Sequence, residues 1–461
     1  MVSVPMETII VKGAMVPRTI LFAFFSNLLC LASGVACVAG DFDLAAGAAR
    51  IDLTPPLEWG VSLGGYGERM NRPATGIHDR IHAKSIVLRK GDKRFALVTL
   101  DVLALPPAVK TKVVEALSPE GWDGSQILLL PSHSHTSLDL GTLDPRNTLG
   151  VPQIRIFDAR LLDHVVKKLL TVIHDASRTV EPVAVGTGSA QVPGRARRRR
   201  PGEPVTDPEL TVKRIDRVGG KPLAILVNWT AHPTFFGPEH MEFSAGWPGY
   251  LQRELEAWIE GGITALYFNG AQGDQAPVGP VKGGTAHEQV EAYGREIAIQ
   301  ALAIYRRIEL APAARLDFAR STLRLPSPRA HPDFMKTGGA EYGLDEKKMK
   351  TLLEAMTSRE TEVGVLLLGD LLIAGVPGEL ECGLGLQLKK ALRGGGALHP
   401  VIGGLANEWV SYMLSPEEYE RGGYEASVSF YGPDLASAVV SKALEAAQLV
   451  LARNGAGRGK P

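Results

Sequence analysis

The sequence predicts an α/β fold in which mixed β-sheets are flanked by helices. From about residue 45 onward, short apolar runs rich in β-branched residues alternate with stretches of helical periodicity, and this alternation is typical of α/β domains. A hydrophobic content of 45% supplies enough apolar material for a large core. The length of 461 residues allows two or three domains or one large α/β unit.

The predicted elements alternate along the chain as this fold class requires. Strands are predicted over 84–90, 94–105, 125–133, 221–233 and 263–270, with two more within 363–379. Helices are predicted over 107–118, 158–176, 249–260, 288–308 and 433–452. The turn GDK joins the first two strands as neighbours, and Asp158 is placed to cap the second helix. No internal repeat is visible.

The charge balance argues against a nucleic-acid partner. The chain carries 50 Lys and Arg against 50 Asp and Glu, whereas nucleic-acid-binding domains usually have a basic balance. The local exception is the run GRARRRRPGEP, Gly194–Pro204. Two interpretations of this run stay open, a solvated basic loop and a loop that binds an anion at the functional site.

The N-terminal region, residues 1–40, has the pattern of an export signal. An uncharged apolar run follows Arg18 and ends in small residues near Gly40, as in the h-region and cleavage site of a signal peptide. The run is also nearly long enough for a single membrane anchor, but the prediction is an exported protein. Cys30 and Cys37 lie in this region and leave Cys382 alone, so any metal must be held by histidine and carboxylate groups.

Two histidines stand two residues apart in ILLLPSHSHTSLD, directly after an apolar run. In an extended backbone, residues i and i+2 point to the same side. His133 and His135 would therefore face one spot at the end of the strand. The alternative is a pair of hydrogen-bonded loop histidines.

Similar strand endings recur along the chain. His232 follows the strand LVNW, Asp274 follows LYFN, and Glu379 follows LLIAG. In α/β sheets, ligands gather beyond the carboxyl ends of the strands, so these distant residues can converge with the histidine pair. Two histidines and one carboxylate form a typical catalytic zinc site with one position open for water.

Eight segments, in this order, resemble the catalytic domain of the neutral, non-lysosomal ceramidases. They are GAARIDLTPP, LGGYGER, GIHDRIHAKSIVL, LLPSHSHTS, VNWTAHPT, NGAQGDQAP, VPGE and LANEWVSYMLSPEEYERGGYEAS. The resemblance implies one large metal-hydrolase-like domain over 45–450. The C-terminal segment 452–461 is predicted, from its composition and position, to be a disordered tail.

The resemblance also implies a set of site residues. In that family a zinc ion is held by the first His of HxH, a His of the NWxxHP segment, the Glu of PGE and a Tyr. The corresponding ligands here are His133, His232, Glu379 and Tyr412. His135 is expected to contact the substrate carbonyl or its oxyanion. For each ligand a structural role is the alternative, such as a strand-end histidine, a helix-capping glutamate or a buried phenol donor.

One position departs from the family pattern. Neutral ceramidases carry a serine nucleophile in GDxSP, and the segment GDQAP places Ala276 there. Alanine cannot attack a carbonyl, so zinc-bound hydroxide is the expected nucleophile, since zinc lowers the pKa of bound water to about 7. Asp274 is expected to orient that water or act as general base, with a structural turn as the alternative. Gln275 is expected to donate to the substrate.

The basic run supplies the last candidates, because an arginine is expected to contact the substrate. Arg197 and Arg198 are the nearest candidates. Together these features predict an exported zinc hydrolase that cleaves an amide or acyl bond of a small or lipid-like molecule, with peripheral membrane contact as an option. Two alternatives stay open, a non-catalytic metal-containing binder of lipids or ligands and a metal phosphoesterase. The oligomeric state is not predicted.

Overall fold

A computed structural model of the chain describes residues 43–312 and 314–455. The predicted signal region, residues 1–40, lies outside the described residues, as do residues 456–461 of the predicted tail. The signal prediction therefore stays an expectation from sequence.

The strands alternate with helices in the predicted manner. In chain order the strands are β1 (Ala45–Asp52), β2 (Gly76–Ile77), β3 (His82–Lys90), β4 (Lys93–Leu100), β5 (Ile127–Pro131), β6 (Glu181–Gln191), β7 (Ala196–Arg198), β8 (Glu209–Arg217), β9 (Pro222–Trp229), β10 (Glu242–Phe243), β11 (Thr264–Asn269), β12 (Gln275–Pro277), β13 (Leu316–Arg324), β14 (Glu360–Leu368), β15 (Leu371–Gly375), β16 (Glu379–Leu380), β17 (His399–Gly403) and β18 (Tyr412–Met413).

The helices fill the segments between them. They are α1 (Pro107–Leu117), α2 (Leu140–Leu143), α3 (Ala159–Arg178), α4 (Gly246–Trp258), α5 (Ala286–Tyr305), α6 (Gly338–Glu341), α7 (Glu346–Thr351), α8 (Cys382–Gly394), α9 (Pro416–Glu420), α10 (Tyr424–Ser427) and α11 (Leu435–Gly455). Short 3-10 turns cover Leu57–Trp59, Gly67–Arg69, Ser118–Glu120, Gly124–Gln126 and Phe334–Lys336, and one π-helical turn covers Leu352–Met356.

Two mixed sheets organise these elements. The larger sheet has eight strands in the order β11-β9-β8-β6-β1-β3-β4-β5, with parallel pairs at both edges and antiparallel neighbours between them. The smaller sheet has the order β13-β14-β15-β17, and its last pair is parallel. The prediction of mixed sheets flanked by helices is confirmed.

The two sheets pack face to face because each strand carries apolar side chains on both faces. In β4, Leu97 belongs to the core between the sheets, where it joins Leu366 of the smaller sheet. The next residue, Val98, belongs to the core between the larger sheet and α3, with Val165. This alternation follows the two-residue period of a strand. The resulting layers are helix, sheet, sheet and helix.

The remaining helices cover the outer faces. Helices α4 and α5 pack on the β9–β11 edge of the larger sheet, and α8 and α11 pack on the smaller sheet. Helix α11 is long and apolar enough to cross a membrane by length and composition. Its Val439, Ala443 and Val450 are fully buried against the smaller sheet, so this composition serves core packing here.

Most predicted boundaries agree with the structure. Asp158 caps α3 as predicted, since its carboxylate accepts from the Arg160 amide at 3.0 Å. The strand predicted over 94–105 ends earlier, at Leu100. Helix α11 continues to Gly455, so residues 452–455, which the sequence assigned to the tail, are helical.

The packing of β1 on α3 generates a stability prediction. A Cβ atom at Gly47 would overlap the carbonyl oxygen of Ala176 and lie 2.8 Å from Oγ1 of Thr179. Gly47→Ala is therefore expected to lower the free energy of unfolding by about 1–3 kcal/mol, the usual cost of overpacking, as measured by urea denaturation.

The matched control is Gly394→Ala at the end of α8, where an added Cβ meets none of the described atoms within 4 Å. This control should be neutral or slightly stabilising because alanine favours the helix. Equal stability of the two variants would contradict the proposed close packing of β1 on α3.

Candidate metal centre

The ends of distant strands bring three predicted ligands together. His133 stands two residues after β5, and His232 stands three residues after β9. Glu379 begins β16, which follows β15 of the smaller sheet after a short turn. All three side chains are almost fully buried, and the predicted convergence of these three residues is seen in the structure.

The histidine pair meets by a different backbone geometry from the one expected. His133 has a φ of 71°, in the left-handed region, so the backbone is not extended there. Backbone bonds hold this turn, including one from the His133 amide to the Val102 carbonyl at 3.0 Å. A left-handed non-glycine residue costs about 1–2 kcal/mol, and such strain is found at functional sites.

Backbone carbonyls fix the orientation of both candidate histidine ligands. The Nδ1 atom of His133 lies 2.7 Å from the carbonyl oxygen of Leu103. The Nδ1 atom of His232 lies 3.1 Å from the carbonyl oxygen of Gln275. Because a carbonyl only accepts, each Nδ1 carries the proton and each Nε2 presents a lone pair. Metal-binding histidines are commonly oriented in this way.

The lone pairs converge on one carboxylate oxygen. Oε2 of Glu379 lies 3.0 Å from Nε2 of His232 and 3.3 Å from Nε2 of His133. Burial, and then the charge of Arg199, lower the pKa of His232 to about 4, so this ring is neutral at pH 7. Burial opposes ionisation of Glu379, but the two histidines lower its pKa well below the usual value.

These contacts fit a divalent cation better than a hydrogen bond. Nε2 of His133, Nε2 of His232 and Oε2 of Glu379 meet at one point, and a divalent cation placed there would be bound by a lone pair from each. Nitrogen atoms of His133, His135 and His232 all lie within 4.8 Å of one another. Two imidazoles and a carboxylate are a donor set that zinc accepts.

His135 stands beside the two histidine ligands but is held differently. Its Nε2 lies 3.2 Å from Nε2 of His133, and its buried Nδ1 has no hydrogen-bond partner among the described residues. Burial, and then His133 and His232, lower its pKa well below the usual value. The buried Arg69 fixes its backbone by donating to the His135 carbonyl at 2.5 Å. The ring is therefore neutral, and it lines the same cavity as His133 and Glu379.

Glu379 is oriented by a residue that the sequence analysis did not identify. Nε1 of Trp409 donates to Oε1 of Glu379 at 2.9 Å, which leaves Oε2 for the histidines. The parallel pair β16–β18 sets Glu379 opposite Tyr412. The only available signal for Trp409 was its place beside Tyr412 in the segment NEWVSY.

Tyr412 lies at the same centre. It is buried, it lines one cavity together with His133 and Glu379, and its hydroxyl accepts from Nη2 of Arg199 at 2.9 Å. Burial, and then Glu379, raise its pKa well above the usual value, so the phenol is protonated at neutral pH in the absence of a cation.

Three arginines of the basic run are paired with carboxylates rather than free to bind an anion. Arg198 pairs with Glu418 at 2.6 Å, Arg199 pairs with Glu425 at 2.7 Å, and Arg200 pairs with both glutamates. Most of its positive charge is therefore neutralised by carboxylates of α9 and α10. This pairing weighs against an arginine grip on phosphate and against the phosphoesterase alternative.

The arginine that reaches the centre is Arg199, rather than Arg197 or Arg198. The Arg197 side chain is exposed, and the Arg198 guanidinium contacts Asp274 at 3.2 Å in addition to Glu418. Arg199 instead contacts the Tyr412 hydroxyl and the Gly273 carbonyl. The expectation of an arginine from this run fits the geometry, but the two named candidates point elsewhere.

The side chains of Asp274 and Gln275 are both occupied by hydrogen bonds within the protein. The Asp274 carboxylate accepts from the Cys382 amide at 3.0 Å, the Gln275 amide at 3.0 Å and Arg198 at 3.2 Å. It has no free oxygen directed at the histidines, which is unlike the expected general base. Gln275 also donates to the Val205 carbonyl at 3.1 Å. Its backbone carbonyl, not its side chain, contacts His232.

A narrow, largely apolar cavity of about 170 Å³ opens beside this cluster. Besides His133, His135, Glu379 and Tyr412, its walls include Leu103, Leu140, Ile154, Phe334, Leu344, Leu352, Met356, Trp409, Tyr424, Val428 and Phe430. A polar centre in an apolar wall suits an amphiphilic molecule with one reactive polar bond.

Sequence comparison connects these features to one family. The sequence model described as neutral/alkaline non-lysosomal ceramidase, N-terminal, matches residues 44–265 and 343–441. The neutral ceramidase of Pseudomonas aeruginosa is 21% identical over 499 residues, covering 90% of this chain and 73% of that protein. The neutral ceramidase of Drosophila melanogaster is 37% identical over 75 residues, covering 15% of this chain and 11% of that protein.

Two solved structures share the fold. The crystal structure of the neutral ceramidase from Pseudomonas aeruginosa has a TM-score of 0.76 at 19% identity, covering 90% of this chain and 75% of that chain. A ceramidase complexed with C2 has a TM-score of 0.77 at 19% identity, covering 90% and 76%. These similarities establish the fold of the chain.

The orientation of Glu379 by Trp409 leads to a prediction on metal affinity. Trp409→Phe keeps an aromatic ring in the cavity wall but removes the Nε1–Oε1 hydrogen bond. Loss of a group that orients a metal ligand typically weakens binding by about 10–100-fold. Zinc affinity measured by competition with a chromophoric chelator should fall by this factor.

Trp122→Phe is the matched control, because Trp122 is buried against Arg94 in a different part of the core. It should leave zinc affinity unchanged. Unchanged affinity in both variants would show that Trp409 does not orient a ligand.

Proposed function

The chain belongs to the neutral/alkaline non-lysosomal ceramidase family, and we propose that it is a zinc-dependent hydrolase that cleaves the amide bond of a lipid-like substrate. Membership of this family makes the chain a ceramidase-type hydrolase. The observation that carries the finer proposal is the convergence of His133, His232 and Glu379, with lone pairs facing one point beside an apolar cavity.

The proposed ligands of zinc are His133, His232, Glu379 and Tyr412. When bound, zinc would lower the pKa of water to about 7 and thereby supply the nucleophile that Ala276 lacks. The backbone carbonyls of Leu103 and Gln275 keep the two imidazoles in the tautomer that binds a cation. The affinity of such a site for metal is highest when the side chains that bind the metal are deprotonated.

We assign the polarisation of the substrate carbonyl to His135 and Arg199. His135 is neutral and lines the cavity, so a ring N–H can donate one hydrogen bond to a carbonyl oxygen. Arg199 adds positive charge beside the Tyr412 hydroxyl. Donors directed at the developing oxyanion are an effective form of catalysis because the site excludes water. Asp274 has a structural role in this proposal, since three donors already occupy its carboxylate.

The proposed substrate class rests on the cavity and on the family. Aliphatic and aromatic walls lie next to the polar cluster, so an acyl chain can be buried while its amide faces the histidines. Burying a chain in this way contributes about 0.8 kcal/mol for each CH₂ group. A similar solved structure is a ceramidase complexed with C2, and this supports a lipid amide.

Ala276 also supports a second candidate function, a metal-containing binder without catalysis. Ala276 follows Gln275 in β12 and pairs with Arg197 of β7. An alanine at the position of the family serine removes the covalent route, and a binding protein needs no replacement for it. Turnover separates the two functions.

We further propose that the protein is exported. The apolar run between Arg18 and Gly40 supports this proposal through its signal-peptide pattern. Expression of the full chain followed by N-terminal sequencing of the mature protein tests it. An N-terminus that still includes the run would contradict cleavage.

The first functional prediction concerns metal-dependent turnover. The purified protein should release free fatty acid from N-acyl sphingoid bases or related acyl amides, should lose activity with a chelator and should regain it with zinc. His133→Gln should lower kcat/KM by roughly a thousandfold or more, because it removes one group that holds the metal.

The matched control is His174→Gln, which alters a partly exposed histidine paired with Glu120 on the protein surface. This variant should keep full activity. Stoichiometric zinc with no turnover on the amide panel would instead favour the binding function, and turnover that survives both chelation and His133→Gln would refute a metal hydrolase.

The second functional prediction concerns the serine position. Ala276→Ser should form an acyl-enzyme that can be trapped and detected by mass spectrometry, if the cavity presents the substrate amide to this residue. Ala276→Gly, which adds no nucleophile, is the control. A serine variant with unchanged kinetics and no adduct would mean that the segment 273–277 no longer faces the reacting bond.

A further inference from the structure

Three histidines outside the proposed catalytic centre lie together around the ring of Phe236. The ring centroids of His78 and His287 are 5.1 Å apart, those of His240 and His287 are 5.4 Å apart, and those of His78 and His240 are 5.8 Å apart. We call this set the second histidine trio. None of its members has a part in the proposed reaction.

The fold assembles the trio from three distant segments. The short parallel pair β2–β10 places Gly76 opposite Glu242, and this pairing brings His78, just after β2, close to His240, just before β10. His287 lies in the first turn of α5, which Thr285 caps together with Glu288. The capping box fixes the start of the helix and hence the position of His287 next to the other two rings.

His78 is oriented as metal-binding histidines commonly are. Its Nδ1 lies 2.8 Å from Oδ2 of Asp79, which directs Nε2 away from the carboxylate. Asp79 is itself held by the Ser244 hydroxyl at 2.5 Å, the Ala245 amide at 3.0 Å and Arg253 at 3.0 Å. A carboxylate–histidine pair of this kind raises the basicity of the far nitrogen and fixes its direction.

His240 supplies a buried nitrogen without a partner. The residue is 8% exposed, its ring stacks on Phe236 at 3.9 Å, and its Nε2 finds no hydrogen-bond partner among the residues that the structure describes. Burial, and then His287 and His78, lower its pKa to about 4, so the ring is neutral at pH 7. Neutral imidazole is the form that binds metal ions, and an unpartnered buried nitrogen is costly without a ligand.

We propose that His78, His240 and His287 form a second metal site, separate from the catalytic centre, that binds a zinc-class divalent ion. Three imidazoles on one tetrahedral zinc, with Zn–N bonds of about 2.1 Å, place their ring centroids about 5 Å apart. The observed separations exceed this value by less than 1 Å.

Metal binding at the trio requires a small rearrangement. The nitrogens of His133, His135 and His232 lie within 4.8 Å of one another, and those of the second histidine trio are farther apart. His287 is exposed, so its side chain can rotate toward the other two rings without disturbing the core. The proposal is independent of the proposed function, because it depends on none of the catalytic residues.

The test is the zinc content of the purified full chain after dialysis against micromolar zinc, measured by mass spectrometry of the metal. The wild-type protein should hold two zinc ions per chain. His240→Asn and His287→Ala should each hold one, and the surface variant His174→Asn should hold two. His287→Ala changes an exposed residue, so its result stands even if His240→Asn does not fold.

Cobalt substitution identifies the geometry of the second ion. Loading with Co²⁺ should give the intense visible absorption of tetrahedral cobalt at both sites, and His287→Ala should remove about half of it. A zinc content that is the same in the wild-type protein, His240→Asn and His287→Ala would overturn the second site, whether the wild type holds one ion or two. If His133→Gln retains both ions, that result contradicts the proposed catalytic centre and leaves the second site unaffected.

Discussion

The candidate metal centre depends on a buried excess of lone pairs. The backbone carbonyls of Leu103 and Gln275 each accept a hydrogen bond from Nδ1 of one histidine, and both Nε2 atoms then face the Glu379 carboxylate. Burying an anion among acceptors is unfavourable by several kcal/mol unless a positive charge joins them. A divalent cation would supply this positive charge. The left-handed φ of His133 is a second unfavourable feature that the site maintains.

The rest of the site is arranged so that its other charges cancel locally. Three consecutive arginines, 198–200, meet Glu418 and Glu425, which lie more than two hundred residues later in the chain. This pairing ties the end of β7 to α9 and α10, and Arg199 also donates to the Tyr412 hydroxyl and the Gly273 carbonyl. The centre thus keeps one directed positive group next to an apolar cavity, as polarisation of a single carbonyl requires.

The sequence predicted the fold class and the meeting of His133, His232 and Glu379, because each of them follows the end of a strand, where ligands of α/β sheets gather. It did not show that these strands belong to two sheets, β5 and β9 to the larger one and β15 to the smaller one. It did not predict which arginine reaches the centre. Neighbouring residues of an extended segment point to opposite sides, so a shift of one residue exchanges their faces. The choice between Arg197, Arg198 and Arg199 depends on the register of β7 against β12, and the sequence of the run contains no signal for it. Trp409 was missed for a similar reason, since its hydrogen bond joins a loop to a glutamate on a separate short strand.

The segment 273–277 supports the candidate metal centre through its backbone, so this support does not require a serine side chain. Three of its backbone carbonyls hold Arg199 and His232 in position. That of Gly273 accepts from the Arg199 side chain at 3.0 Å, that of Asp274 accepts from the Arg199 amide at 2.9 Å, and that of Gln275 accepts from both the amide and the ring of His232. The Asp274 carboxylate adds a bond to the first amide of α8. None of these contacts uses the side chain at position 276, so alanine, in place of the serine that the family resemblance implies, leaves the scaffold of the candidate metal ligands intact. The segment therefore has a structural reason to persist whether or not a covalent step takes place there.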